Sequence, residues 1–434
     1  MTVRNGAETT ITAGEFSSDR LLVLEVTEPQ AARFVSNLGI AGGPGSFKVS
    51  FVASGPGREY QVTTMAGALE PASVELSAGS RLLEENDGAE YVVITPRVLR
   101  AGADELAAYR GLQGLSVLVA ELEDVYDAFG GGLASPEAIR DFLIHAYESW
   151  TVAPRFAALI GAGTFDFADV EDLGGNLLPV YMAATPYGYF AWDGFYADLA
   201  QADLVPEIAV GRIPVTTVES LQAYVNKLVS FESLTPASGP DDLVLLADNA
   251  DAGGNYPLES DSLLSRLPEW VSTERIYLSE QYLGQARANL SRRLTEGAAW
   301  VNYVGHGSVE GFAAEGLLMA QDLATMPTTG RLPVVSAMTC SVGRFEVPGL
   351  TSLAEAMILS PDGGAGAVFS ASGQSIAFEA RLINEGLFDA VFANDSATVG
   401  EAAVAAMTAY AEVGHFDFMK QIFNVVGDPA YRLR

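Results

Sequence analysis

The chain has 434 residues and a mass of 45.8 kDa, with 49% hydrophobic and 18% charged residues; that is too long for one core and implies two or three domains. A formal charge of −31 and a pI of about 4.3, with Lys48, Lys227 and Lys420 the only lysines, repel phosphate backbones and argue against nucleic acid as a partner. No apolar run nears the roughly 18 residues of a membrane span, and a single cysteine, Cys340, excludes an internal disulfide and any zinc site that needs two or more thiolates.

The N-terminal stretch "MTVRNGAETTITAGEF" is polar, so no signal peptide is expected in this chain, although a segment excised from a longer precursor would look the same. From about residue 16, short alternating runs ("RLLVLEV", "SFKVSFVAS", "EYQVTTMAG", "ASVELSA") are broken by turn-rich "GGPG" and "SGPGRE". They predict a small β-sandwich over residues 1–87, an accessory or pro-domain, with one helical interruption at "PQAARFVSNL".

At residue 88 the pattern changes. "EYVVITP", "LSVLVAEL", "RFAALIGAG" and "EIAVGRIPV" are continuous apolar strands. Between and after them fall helices at "DELAAYRGLQG", at "SPEAIRDFLIHAYESW" with Ser135 as cap and Pro136 in its first position, and at "TTVESLQAYVNKLVSFE", where Thr216 and Glu219 have capping-box spacing. A second unit, 237–434, repeats the alternation with strands "DDLVLLAD", "TERIYL", "AAWVNYV", "LPVVSAMT" and "GAGAVFSAS" and helices at "SDSLLSRL", "QARANLSRRLTEG" and "TSLAEAMIL". The expected architecture is α/β: two adjoining parallel-sheet subdomains, 88–236 and 237–434, with helices on both faces.

Ligands of open parallel sheets sit beyond the carboxyl ends of the strands. His306 follows "WVNYV" and Cys340 follows "PVVSAMT", so consecutive strands deliver an imidazole and a thiol to one edge. Taken singly, "GHG" also suits a loop histidine or a phosphate turn, and Cys340 a buried inert thiol. Together they form a Cys–His hydrolase arrangement, in which the imidazole promotes the thiolate. The glycines flanking His306 free the backbone, and the N–H groups of Gly307 and Cys340 could hold an oxyanion.

"VNYVGHGS", "LPVVSAMTCSVGRFE" and "SLAEAMILSPDGGAGAVFSAS" resemble the gingipain family of cysteine peptidases, which have a caspase-like fold. "YVVITP", "GLSVLVAELEDVYDAFGGGLASPEAIRDFL", "FAALIGAG", "VPEIAVGRIPVTTVESLQAYVNKLVSFE" and the closing "FNVVGDPAYRLR" extend the resemblance from about residue 88 to the C-terminus. It implies Cys340 as nucleophile, His306 as general base and acid, and a carboxylate at Asp261 that holds the guanidinium of an arginine preceding the scissile bond (P1). An ungapped match puts Ala250 where the family has its His-orienting acid; Asp248 and Asp251 flank it and either could substitute.

"GTFDFADVEDLGG" and "YFAWDGFYADL" could offer oxygens to calcium, which related enzymes bind, or be solvated loops packed by their own aromatics. His145, within a helix, is read as structural, and His415 as capping a helix end. The expected activity is a monomeric, secreted or cell-surface cysteine endopeptidase acting on polypeptides without a required cofactor, calcium being at most structural. A sortase-like transpeptidase and a non-catalytic caspase-fold binding module are the alternatives.

Overall fold

Runs such as Tyr91–Thr95 and Trp300–Val304 are apolar without alternation, which suits only a strand covered on both faces. In the computed structural model, which describes residues 1–6, 10–69, 80–234, 241–394 and 396–433, both are fully buried strands. The chain forms two compact units, residues 1–78 and 79–434. The boundary expected at 236 falls outside the described residues.

The larger unit is built on a ten-stranded sheet. Its strands are β1 (Tyr91–Thr95), β2 (Val117–Glu121), β3 (Phe156–Ile160), β4 (Ala209–Ile213), β5 (Asp242–Ala247), β6 (Ser272–Tyr277), β7 (Trp300–Val304), β8 (Val334–Met338), β9 (Ala367–Ala371) and β10 (Phe423–Gly427). They lie in the order β6-β5-β7-β8-β9-β10-β4-β3-β1-β2. Strands β5 to β9 are mutually parallel, as are β1 to β4. The junction is β10, antiparallel to β9 and parallel to β4. Both expected α/β units thus feed one continuous sheet, joined by the C-terminal strand. That strand has no turn residue ahead of it: the helix Phe418–Ile422 runs straight into it, so no break in the sequence announces it.

Helices cover the sheet. Ser135 accepts the Ala138 N–H at 3.2 Å, with Pro136 in the first turn, as expected. The capping box of helix Val218–Phe231 lies one residue later than its spacing suggested: Thr217, extended at φ −135° and ψ 157°, caps it with Ser220. The buried face, Leu221, Tyr224, Val225 and Leu228, sets the helix phase and with it the last non-helical residue.

In the smaller unit, Thr2–Arg4, Glu59–Thr64, Leu21–Glu25 and Arg33–Phe34 form one antiparallel sheet, and Thr10–Phe16, Phe47–Val52 and Gly39–Ala41 another. Ile11, Val23, Val49, Phe51, Tyr60 and Val62 pack in one core, the product of the alternating pattern. The helix expected near residues 29–38 is a single 3₁₀ turn, Pro29–Ala31, because Arg33 and Phe34 pair with Glu25 and Leu24. The strand expected at 72–78 lies outside the described residues.

Candidate active site

Strands β7 and β8 are parallel neighbours in register, Val304 opposite Met338, so the segments that follow them leave the sheet side by side. Gly305 makes the first turn. A Cβ there would lie 2.4 Å from the Cβ of Asp248, the residue after β5 next door, so only glycine fits. The Asp248 carboxylate accepts the His306 backbone N–H at 3.2 Å and the Asn249 N–H at 2.7 Å. Asp248 is buried, and loss of solvation raises its carboxyl above the usual range. It anchors the loop and does not touch the ring. Tyr303 adds a 2.6 Å bond from its hydroxyl to the His306 carbonyl.

The imidazole itself is held from the β5 loop. His306 Nε2 lies 2.8 Å from Asp251 Oδ2 and 3.2 Å from the Tyr256 hydroxyl, whose ring meets the imidazole edge-on at 5.4 Å. The hydrogen bond from His306, with the Gly253 N–H at 2.7 Å, keeps the Asp251 carboxyl below its ordinary range. Donation of Nε2–H to Asp251 leaves Nδ1 as the free ring nitrogen. Of the two acids flanking Ala250, therefore, Asp251 orients the ring and Asp248 the backbone. Tyr256 was not foreseen; it opens a helix (Tyr256–Ser262) whose Asn255 cap was the available signal.

Gly307 seats the histidine loop on the cysteine loop. A Cβ at this position would stand 2.5 Å from Thr339 Oγ1 and 2.8 Å from the Cys340 carbonyl oxygen. Gly307 pairs with Phe312, and the Ala313 N–H donates to the His306 carbonyl at 2.8 Å. That makes Gly307–Phe312 a non-hydrogen-bonded pair, whose N–H groups point away from each other. The Gly307 amide is thereby left for another acceptor. Beyond Cys340 the chain turns at once, with Ser341 left-handed at φ 57° and its N–H bonded to Gly373. Cys340 Sγ lies 3.4 Å from the Ser375 nitrogen, 3.7 Å from its carbonyl and 3.8 Å from its hydroxyl. Ser375 follows β9, a third strand delivering to the same edge.

Asp261 stands elsewhere. Five residues beyond Tyr256, it faces the edge strand β6, where it accepts Arg275 Nε at 3.0 Å and the Tyr277 hydroxyl at 2.9 Å. His145 packs its ring against Phe129, 5.6 Å between centroids, within a helix. His415 does not cap the helix it follows: its N–H and Nδ1 both bond the buried Glu379 of helix Ala377–Phe392, each at 3.0 Å. In the acidic stretches, Asp166 and Asp169 accept backbone N–H groups and Asp193 is locked to Arg212 at 2.7 Å. Among the described residues no three His, Cys, Asp or Glu side chains converge as metal ligands.

A mostly parallel sheet carrying a thiol and an oriented imidazole on adjacent strand ends has the make-up of a cysteine peptidase. The chain belongs to peptidase family C25, whose family model matches residues 84–434. Its fold is similar to that of the Arg-specific cysteine proteinase gingipain R (RgpB), with a TM-score of 0.67 and 18% identity over 81% of this chain and 80% of that one. The complex of Porphyromonas gingivalis RgpB pro- and mature domains matches at 0.66 and 18%, covering 80% of each chain. Dimeric latent PorU from the same organism matches at 0.52 and 18%, covering 99% of this chain and 38% of that one. No curated protein matches the sequence. Among the described residues no helix is long and apolar enough to cross a membrane.

Proposed function

We propose that this chain is a cysteine endopeptidase that uses Cys340, His306 and Asp251 and prefers a basic residue at P1. His306 Nδ1 takes the proton of the Cys340 thiol, and the thiolate attacks the peptide carbonyl carbon, whose oxygen becomes an oxyanion. The Gly307 and Cys340 N–H groups donate to that oxyanion. As the C–N bond breaks, the imidazolium returns its proton to the departing amine, leaving a thioester on Cys340. Water then attacks the thioester, His306 removing its proton, and the acid product leaves with the thiol restored. Asp251 holds the ring in the tautomer this sequence needs and faces the positive charge that forms. None of these steps needs a cofactor.

The observation that carries this reading is the seating of Gly307 on the Thr339 hydroxyl and the Cys340 carbonyl while Asp251 grips the ring of His306. The strongly acidic surface supports attraction of basic substrates and a secreted or cell-surface setting. The test is hydrolysis of fluorogenic peptides by purified wild type and Cys340→Ala. Unchanged turnover in the variant would remove Cys340 from the reaction. An added amine that outcompetes water for the thioester would convert the assignment from hydrolase to transpeptidase.

A further inference from the structure

Asp261, the acid the resemblance offers for a basic P1 side chain, is already paired with Arg275 and Tyr277. Helix phase points to another acid. At about 100° per residue, Glu259 lies three positions after Tyr256 and shares its face, whereas Asp261, five positions after, is turned toward β6. Tyr256 is the residue whose hydroxyl meets the catalytic imidazole.

Glu259 has an unusual environment for a carboxylate near a surface. Among the described residues its Oε2 is buried and has no hydrogen-bond partner. Such an oxygen is costly unless a donor reaches it. Loss of solvation raises its carboxyl above the ordinary range, opposed by the nearby charge of Arg381. Its Oε1 lies 3.0 Å from the point where a Cβ on Gly254 would sit, and the neighbouring Gly253 stands against His306 Cε1 in the same way, at 3.5 Å. Bare backbone therefore separates the acid from the catalytic ring.

The other wall belongs to the cysteine. Helix Ala377–Phe392 begins two residues after Ser375, the residue whose N–H meets Cys340 Sγ. It carries Arg381, whose guanidinium is paired with Glu385 and lies 5.2 Å over the Phe378 ring. Arg266, just past the helix of Glu259, ties the two segments together through Glu385 at 3.0 Å and Asp389. These two segments are thus tied side by side, one leaving the loop that holds the His306 ring and the other the loop that meets Cys340 Sγ.

We infer that Glu259 is the specificity residue of this site, its unpaired oxygen receiving the guanidinium or ammonium of a basic substrate side chain that enters between the two segments. The inference rests on the peptidase reading for its substrate, a basic polypeptide. A guanidinium suits the acid well, since its N–H donors can reach both carboxylate oxygens together. Arg381 belongs to the rim and keeps its own partner, Glu385.

The test uses the whole chain and two aminomethylcoumarin peptides that differ only in Arg or Ala at P1. The Arg-to-Ala ratio of kcat/KM, read within each variant so that loss of active protein cancels, should fall about 100-fold in Glu259→Gln and stay at the wild-type value in Asp261→Asn. A parallel binding arm uses Cys340→Ala and the corresponding P1-Arg and P1-Ala peptide amides, followed by calorimetry. Preference for the Arg peptide that disappears on adding Glu259→Gln supports the pocket even if wild type turns over neither substrate, an outcome that would defeat the peptidase reading alone. Equal binding of the two peptides, or a preference lost with Asp261→Asn and kept with Glu259→Gln, overturns the assignment.

Discussion

Two histidines of this protein each meet a carboxylate that also engages a tyrosine hydroxyl. His306 has Asp251 and Tyr256; His415 has Glu379 and Tyr410. The differences lie in what surrounds them. Asp251 is 47% exposed and its partner ring 52%, and among the described residues the other donors to the acid are N–H groups of its own glycine loop and the long contact of Tyr256 at 3.5 Å. Glu379 is 1% exposed and takes three donors at once, the Tyr410 hydroxyl at 2.6 Å and the His415 N–H and Nδ1 at 3.0 Å. The second set pins a helix end to its neighbour. The first leaves a ring with one nitrogen free, on a strand end beside a thiol. A His–acid–Tyr set is thus not chemistry in itself; its place on a strand end next to the strand that delivers a thiol is what sets the first apart.

The contrast breaks most sharply at the thiol and the ring. Cys340→Ala or His306→Ala should reduce kcat/KM for a fluorogenic peptide by about 1,000-fold or more, while His415→Ala leaves it at the wild-type value. An equal loss in His415→Ala would erase the distinction. Next comes the orienting acid: Asp251→Asn should lower kcat about 10- to 100-fold, since the imidazolium loses its counter-charge and the preferred tautomer is no longer enforced. Because the Asp251 carboxyl is held below its ordinary range, the charge is present at neutral pH and is lost only as pH falls through that depressed value. The same change at Glu379 acts on stability instead. Glu379→Gln leaves buried donors mismatched and should cost about 1–3 kcal/mol in chemical denaturation with kcat/KM unaltered.

Glu346, on the loop after Cys340, sharpens the point about buried acids. It is as buried as Glu379, yet Arg344 at 3.3 Å is its only ion-pair partner among the described residues and its Oε2 lacks a hydrogen-bond partner. Burial, offset mainly by backbone N–H groups and Arg344, pushes its carboxyl up from 4.5 to about 7. The native state therefore holds a proton that the unfolded chain releases between those values. The resulting stabilisation is complete below about pH 4.5 and lost as pH rises through about 7, of order 1–3 kcal/mol. Melting curves of wild type and Glu346→Gln from pH 5 to 8 should show a steeper decline in wild type; parallel curves would exclude this proton. The smallest effect is expected at Tyr256→Phe, which keeps the ring against His306 and removes only the hydroxyl: about a three- to tenfold loss in kcat, with an unchanged melting temperature.

Much of the larger unit was legible because buried parallel strands have no polar face. Nine of the ten strands of the sheet can be read from the sequence, eight as apolar runs and the edge strand β6 as the more polar "TERIYL"; β10 lacks a boundary, since the helix Phe418–Ile422 joins it without a turn. His306 and Cys340 were legible for a related reason: reactive side chains at the ends of consecutive strands of a parallel sheet have to share an edge. The acids were less so. Asp248 and Asp251 are three residues apart in an irregular loop, and no periodicity says which one reaches the ring. Asp261 matches a motif, but the phase of its helix turns it to Arg275. Glu259, Tyr256 and Ser375 carried no signal of their own, as each matters through a neighbour on another segment.

What the amino-acid order determined by itself was most of the strands of the large sheet and the edge to which His306 and Cys340 are delivered. These follow from local rules, the all-apolar run and the strand-end loop, which need no knowledge of distant contacts. The tertiary structure alone decided which carboxylate holds the imidazole, which is already paired with an arginine of the edge strand, and which keeps a buried oxygen without a partner among the described residues. Those assignments depend on gaps of an ångström or two between segments far apart in the chain, and on which carboxylate another part of the fold has already neutralised.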